Sequence, residues 1–166
     1  MKTRKFLSAL LAVMACVGII LTSCQKDGSA DAQPYKMETN LMKDKKLFAA
    51  VLKDRSAANV FEIKEVVRKN EILEVKVKGG GTADSFRFVW DGLIQESYPM
   101  GIRLVMQYDN ANDDFDAAKE LTVVVNLQKI LGSQHKVQDF HFNVINGSKM
   151  QTVVLNPDGT KSSQSK

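Results

Sequence analysis

The feature that most constrains this chain is an alternation of period two that sets in near Val60 and recurs as far as Leu155. In Ile72-Leu73-Glu74-Val75-Lys76-Val77-Lys78 the apolar Leu73, Val75 and Val77 alternate with charged neighbours. Successive side chains of a strand point to opposite faces, so this spacing suits a half-buried strand and not a helix. Phe61 and Ile63 alternate with Glu62 and Lys64 just before it, and Lys69-Asn70 marks a turn, so a hairpin is expected there. Gly79-Gly80-Gly81 ends the second strand with backbone geometry that other residues resist.

The pattern continues in short pieces. Ser85–Trp90 puts Phe86, Phe88 and Trp90 on one face, which is expected to be core, and Asp91-Gly92 turns the chain. Ile102–Tyr108 and Leu121–Leu127 are two more strands joined by an acidic loop. Asp139–Val144 and Met150–Leu155 form a hairpin signalled by Asn146-Gly147-Ser148. About seven short strands with turns between them predict an all-β fold, an antiparallel immunoglobulin-like β-sandwich. One exception precedes it. Leu47 and Val51 lie four apart, as do Phe48 and Leu52, and Asp44 can cap, so residues 44–53 read as a short helix, with a bent strand as the alternative. The segment after Asn156-Pro157-Asp158-Gly159 is polar and expected to fray.

The amino-terminal residues follow a different rule. Lys2, Arg4 and Lys5 precede an uncharged apolar run from Phe6 to Leu21. A spanning helix needs roughly 20 apolar residues. This run is shorter and suits the core of a secretory signal. It stops at Leu21-Thr22-Ser23-Cys24, which resembles the lipobox of bacterial lipoproteins. The resemblance implies a signal peptide over 1–23, cleavage before Cys24, and diacylglycerol joined to the Cys24 thiol. A lipid chain at that thiol anchors the protein to a membrane without a spanning segment. Gln25-Lys26-Asp27 directly after the cysteine resembles the surface-export signal of Bacteroidota lipoproteins. That implies the outer face of the outer membrane, with the periplasmic leaflet as the alternative. Residues 24–43 are then the lipidated cysteine and a flexible tether, 44–158 the β-sandwich domain, and 159–166 a polar tail.

A second resemblance covers about Glu62 to Leu131. A Leu-x-Val-x-Val strand, a glycine cluster, a Phe-x-Phe strand, a Pro-containing loop, a Leu-Val strand and an Asp-rich loop are similar to the C-terminal β-sandwich domain of NigD-like lipoproteins. Those relatives often carry one Cys after the glycines and one in the Asp-rich loop. Here Gly81 or Thr82 and Phe115 stand at these places.

Charge narrows the partners. The chain has 23 Lys+Arg against 19 Asp+Glu, a net +4. Lys2, Arg4 and Lys5 fall in residues 1–23, where no acid occurs, so the rest holds 20 basic against 19 acidic side chains. The basic excess belongs to the leader, and nucleic acid is not an expected partner. The expected partners are the membrane, through Cys24, and other surface lipoproteins or glycans.

Candidate chemistry is sparse. Asp109-Asn110-Ala111-Asn112-Asp113-Asp114-Phe115-Asp116 concentrates the hard oxygen ligands calcium prefers, with Asp109, Asn112, Asp113, Asp114 and Asp116 as candidates. It fails as an EF-hand. Counted from Asn110 it lacks the sixth-position Gly and ends on Leu121; counted from Asp109 it ends on Glu120 but has Ala111 at the third position. A solvated hairpin loop is the common alternative. His135 and His141 have no second ligand at metal spacing, so no metal and no cofactor are expected. No nucleophile motif is present, and the glycines lack the Gly-Lys-Ser/Thr of a phosphate loop. Trp90, Tyr98, Tyr108 and Phe115 stand at or beside loops, where clustered aromatics would bind sugars. The functional expectation is a non-catalytic binding or structural role at the cell surface. The alternatives are a glycan-binding accessory module of a polysaccharide-utilisation system and a hydrolase.

Overall fold

A computed structural model describes residues 35–38, 40–55, 60–109 and 115–165. The chain divides after Ala30, and all of these belong to the unit Asp31–Lys166. The described residues form an all-β sandwich. The ten strands are β1 Tyr35–Glu38, β2 Leu41–Lys43, β3 Glu62–Lys69, β4 Ile72–Gly80, β5 Phe86–Trp90, β6 Met100–Tyr108, β7 Asp116–Asn126, β8 Phe140–Asn146, β9 Gln151–Leu155 and β10 Lys161–Ser165. A seven-stranded sheet runs β1-β2-β5-β6-β8-β9-β10, and a three-stranded sheet runs β3-β4-β7.

The alternation does what it predicts. Leu73, Val75 and Val77 of β4 and Val123 and Val125 of β7 are buried against Phe86, Phe88, Ile102, Leu104, Met106, Phe142 and Val144 of the larger sheet. Burying each such side chain stabilises the fold by about 1.5–3 kcal/mol. The outward residues of the smaller sheet pair in ladders such as Lys69–Glu74 and Lys76–Glu120, both at 2.8 Å.

Several expectations are corrected. Two of the pairings, β2 with β5 and β6 with β8, are parallel, so the larger sheet is mixed. Parallel neighbours need long connections, and local alternation carries no trace of them. Tyr35–Glu38 and Leu41–Lys43 are not tether: as β1 and β2 they extend the sheet, and Leu41 is buried. The tail does not fray. β10 is polar and exposed, yet its backbone pairs with β9 from Lys161↔Leu155 to Ser165↔Gln151. Main-chain hydrogen bonds are indifferent to side-chain polarity, so a Ser-rich segment can close an edge.

The helix forms as read, over Lys45–Lys53 (α1), and the bent-strand alternative falls. The Asp44 carboxylate accepts from the Leu47 N–H at 2.9 Å, satisfying a donor the first turn leaves open. Phe48 and Val51 are buried against Val89, Val105 and Ile145, the residues of β5, β6 and β8 that face away from the main core. The helix therefore adds a third layer, which explains why Val89 and Val105 are apolar on the nominally outward face. Asp44→Ala is expected to cost about 1 kcal/mol through loss of the cap, read as a lowered unfolding midpoint in urea with the fold retained.

The sandwich has two distinct ends. Tyr35, Lys43 and Trp90 stand in register at one of them, so the chain enters β1 there. The starts of β6 and β8 and the β9–β10 turn share that end. The opposite end holds Phe86, Tyr108, Asn146, Gln151 and the carboxyl end of β10.

Candidate functional site, an end groove

The residues between Asp91 and Pro99 are held by their own bonds. The Leu93 N–H donates to the Asp91 carboxylate at 3.1 Å, and the Trp90 indole N–H donates to the Leu93 carbonyl at 3.1 Å. Gln95 and Gly101 exchange backbone bonds of 2.8 and 3.0 Å, and the Ser97 hydroxyl donates to the Pro99 carbonyl at 2.7 Å. This small hairpin carries Tyr98 at its tip with the side chain fully exposed.

Two other segments meet it. Gln138 and Asp139 belong to a 3-10 turn, Val137–Asp139, that leads into β8. Asn156, Pro157 and Asp158 form the β9–β10 turn, closed by Asn156 N–H to Thr160 O at 2.9 Å and Gly159 N–H to Asn156 O at 3.0 Å. Together with Tyr98, Pro99 and Met100 they line an open groove of about 630 Å³, within the size range of small-molecule sites. Arg68 at the end of β3 fixes two of its walls from beneath, donating to the Val137 carbonyl at 3.3 Å and the Pro157 carbonyl at 2.7 Å. Asp158 accepts from the backbone N–H and the hydroxyl of Thr160 at 2.9 and 2.6 Å. The Thr160 hydroxyl bond, seconded by its backbone N–H, holds the Asp158 carboxyl below the usual range.

The four aromatic candidates separate. Trp90 is buried, with the Lys43 ammonium 5.4 Å from its ring centroid, and is core rather than platform. Tyr98 alone stands on the groove. Tyr108 and Phe115 are at the opposite end, half-buried in a row of edge-on rings, Phe61–Phe86–Tyr108–Phe115, spaced 5.1, 5.0 and 5.3 Å. Gly80 pairs with Asp116, so Phe115 closes over the glycines: a Cβ on Gly79 would lie 3.1 Å from its ring.

Of the calcium candidates only Asp109 and Asp116 are described. Asn112, Asp113 and Asp114 lie outside the described residues. Asp109 forms an ion pair with Arg87, and the Asp116 carboxylate accepts from Ala118 N–H at 2.8 Å. Among the described residues no three His, Cys, Asp or Glu side chains group as a metal site would require. His135 packs edge-on to Phe140 at 5.6 Å, and His141 lies on the outer face of the larger sheet against Gly101. Cys24 lies outside the described residues.

Sequence reasoning found Tyr98 and missed Gln138, Asp139, Asn156, Asp158 and Arg68. The parallel pairing of β6 with β8 brings Tyr98 beside Gln138 and Asp139, the β8–β9 pairing adds Asn156 and Asp158, and no local spacing encodes the parallel step. Comparison with protein-family models, with curated proteins and with solved structures finds no match for this chain.

Proposed function

We propose that this is a lipid-anchored cell-surface protein of the outer membrane, held by diacylglycerol on Cys24, with a non-catalytic binding or structural role in which the end groove receives the ligand. The anchoring half rests on the positive leader, the apolar run and Leu21-Thr22-Ser23-Cys24. Among the described residues no helix is long and apolar enough to cross a membrane. The binding half rests on one observation: Tyr98, fully exposed, on a loop pinned at both ends, at the lip of a groove. An aromatic ring held at the lip of a groove by fixed backbone offers an apolar face with a polar tip, the combination aromatic side chains bring to binding sites.

That same residue favours the second reading, a glycan-binding accessory module of a polysaccharide-utilisation system. A hydrolase is the third reading, tested by assaying the purified protein for release of reducing sugar from polysaccharides.

Metabolic labelling with a radioactive fatty acid tests the anchor. The parent protein is expected to take up label and sediment with outer membranes, and external proteinase is expected to degrade it on intact cells. Cys24→Ser is expected to abolish labelling and release the protein from membranes. Label retained by Cys24→Ser would overturn the anchor assignment, and protection from proteinase until the cells are opened would move the protein to the periplasmic leaflet.

A further inference from the structure

We infer that the end groove is selective by charge: it takes a neutral, hydroxyl-rich glycan segment stacked on Tyr98 and refuses anionic chains. This rests on reading the groove as the ligand site. Its lining contains Tyr98, Met100 and two prolines as apolar surface, with Gln138, Asp139, Asn156 and Asp158 as its polar side chains. These are carboxylates and amides, the groups that accept and donate hydrogen bonds to hydroxyls. Among the described residues no Lys, Arg or His lines it.

The guanidinium of Arg68 bonds to two of the groove's walls and is engaged there. Its Nη1 and Nη2 donate to the carbonyls of Val137 and Pro157, so it braces the walls. A uronate or sulfate brought into the groove would meet Asp139 and Asp158 without a cation to offset them, and like charges at close range repel. A pyranose presents the opposite combination, an apolar C–H face for the Tyr98 ring and hydroxyls at its rim. The groove is open, so a segment within a longer chain fits as well as an end.

An extended peptide is less well matched. Strand addition would use the outer edge of β10 rather than the groove, whose β9–β10 turn bonds its own backbone through Asn156, Gly159 and Thr160.

Affinity electrophoresis of the full-length protein in detergent micelles decides the matter. Native gels would contain neutral polymers (starch, dextran, xylan, galactomannan) or anionic ones (alginate, polygalacturonate, heparin), with poly-L-lysine as a basic peptide. Retardation is expected in at least one neutral gel and in none of the others. Tyr98→Ala is expected to weaken it about tenfold, the loss of a single stacking contact, with its thermal midpoint unchanged. Arg68→Ala is expected to weaken binding by loosening the walls, without touching the ligand. Retardation confined to the anionic gels or to poly-L-lysine, and sensitive to Tyr98→Ala, would overturn the charge class and leave the groove as the binding site. No retardation in any gel would overturn both, and retardation indifferent to Tyr98→Ala would remove the site from the groove.

Discussion

Asn146→Ala is expected to destabilise the domain by about 3–5 kcal/mol, since it strips several buried partners at once. Asn146 is fully buried at the end of β8. Its Nδ2 donates to the Phe61 carbonyl at 2.8 Å and to the Gln151 side-chain oxygen at 3.0 Å. Its Oδ1 accepts from the Ser148 N–H and hydroxyl, each at 2.8 Å. Gln151 completes the clasp, accepting from the Ile63 N–H at 2.9 Å and donating to the Ile63 carbonyl at 2.8 Å. These side chains do for Phe61 and Ile63 what a neighbouring strand would do, and they join the two sheets. Domains of this kind are stable by only about 5–15 kcal/mol, so much of the margin would go. Urea denaturation measures the loss. Gln151→Ala should be sub-additive with it, because the two side chains share one network. A cost below about 1 kcal/mol for Asn146→Ala would show that water replaces the clasp.

Gly80→Ala is expected to cost about 3 kcal/mol, from backbone strain and overpacking together. Gly80 has φ +149°, and a Cβ there would fall 2.7 and 2.9 Å from two ring atoms of Phe86. That ring stands between Phe61 and Tyr108 and has nowhere to move. Gly159→Ala is the control. Its φ is +83°, but nothing lies within 4 Å of the added Cβ, so only the backbone term of about 1–2 kcal/mol remains. Equal costs at the two positions in thermal unfolding would refute the steric argument.

The parts of the fold that were legible are those whose reason is local. Leu73, Val75 and Val77 announce β4, and Asn70, at φ 55°, makes the β3–β4 turn. Asp44 announces α1. Asn146-Gly147 announces the β8–β9 hairpin for a different reason than the one it suggests. Neither residue has the positive φ of a two-residue turn, and Asn146 is held in the core by its bonds rather than placed in the loop by its shape. β1, β2 and β10 were illegible because an edge strand needs backbone partners and little apolar pattern. The groove was illegible beyond Tyr98 because its polar residues are loop residues by every local measure, and only sheet topology gathers them.

The position of β10 has a mechanical consequence. β1 and β10 are the two edges of the larger sheet, and the chain enters β1 at the groove end but leaves β10 at the other. A force drawn between those two points acts along the strands. It loads the β1–β2 and β9–β10 ladders in shear, all their hydrogen bonds together, rather than opening them one after another. A load applied at the groove acts at the same end as the start of β1 and bypasses the length of the sandwich, so a domain gripped there would swivel before it stretched.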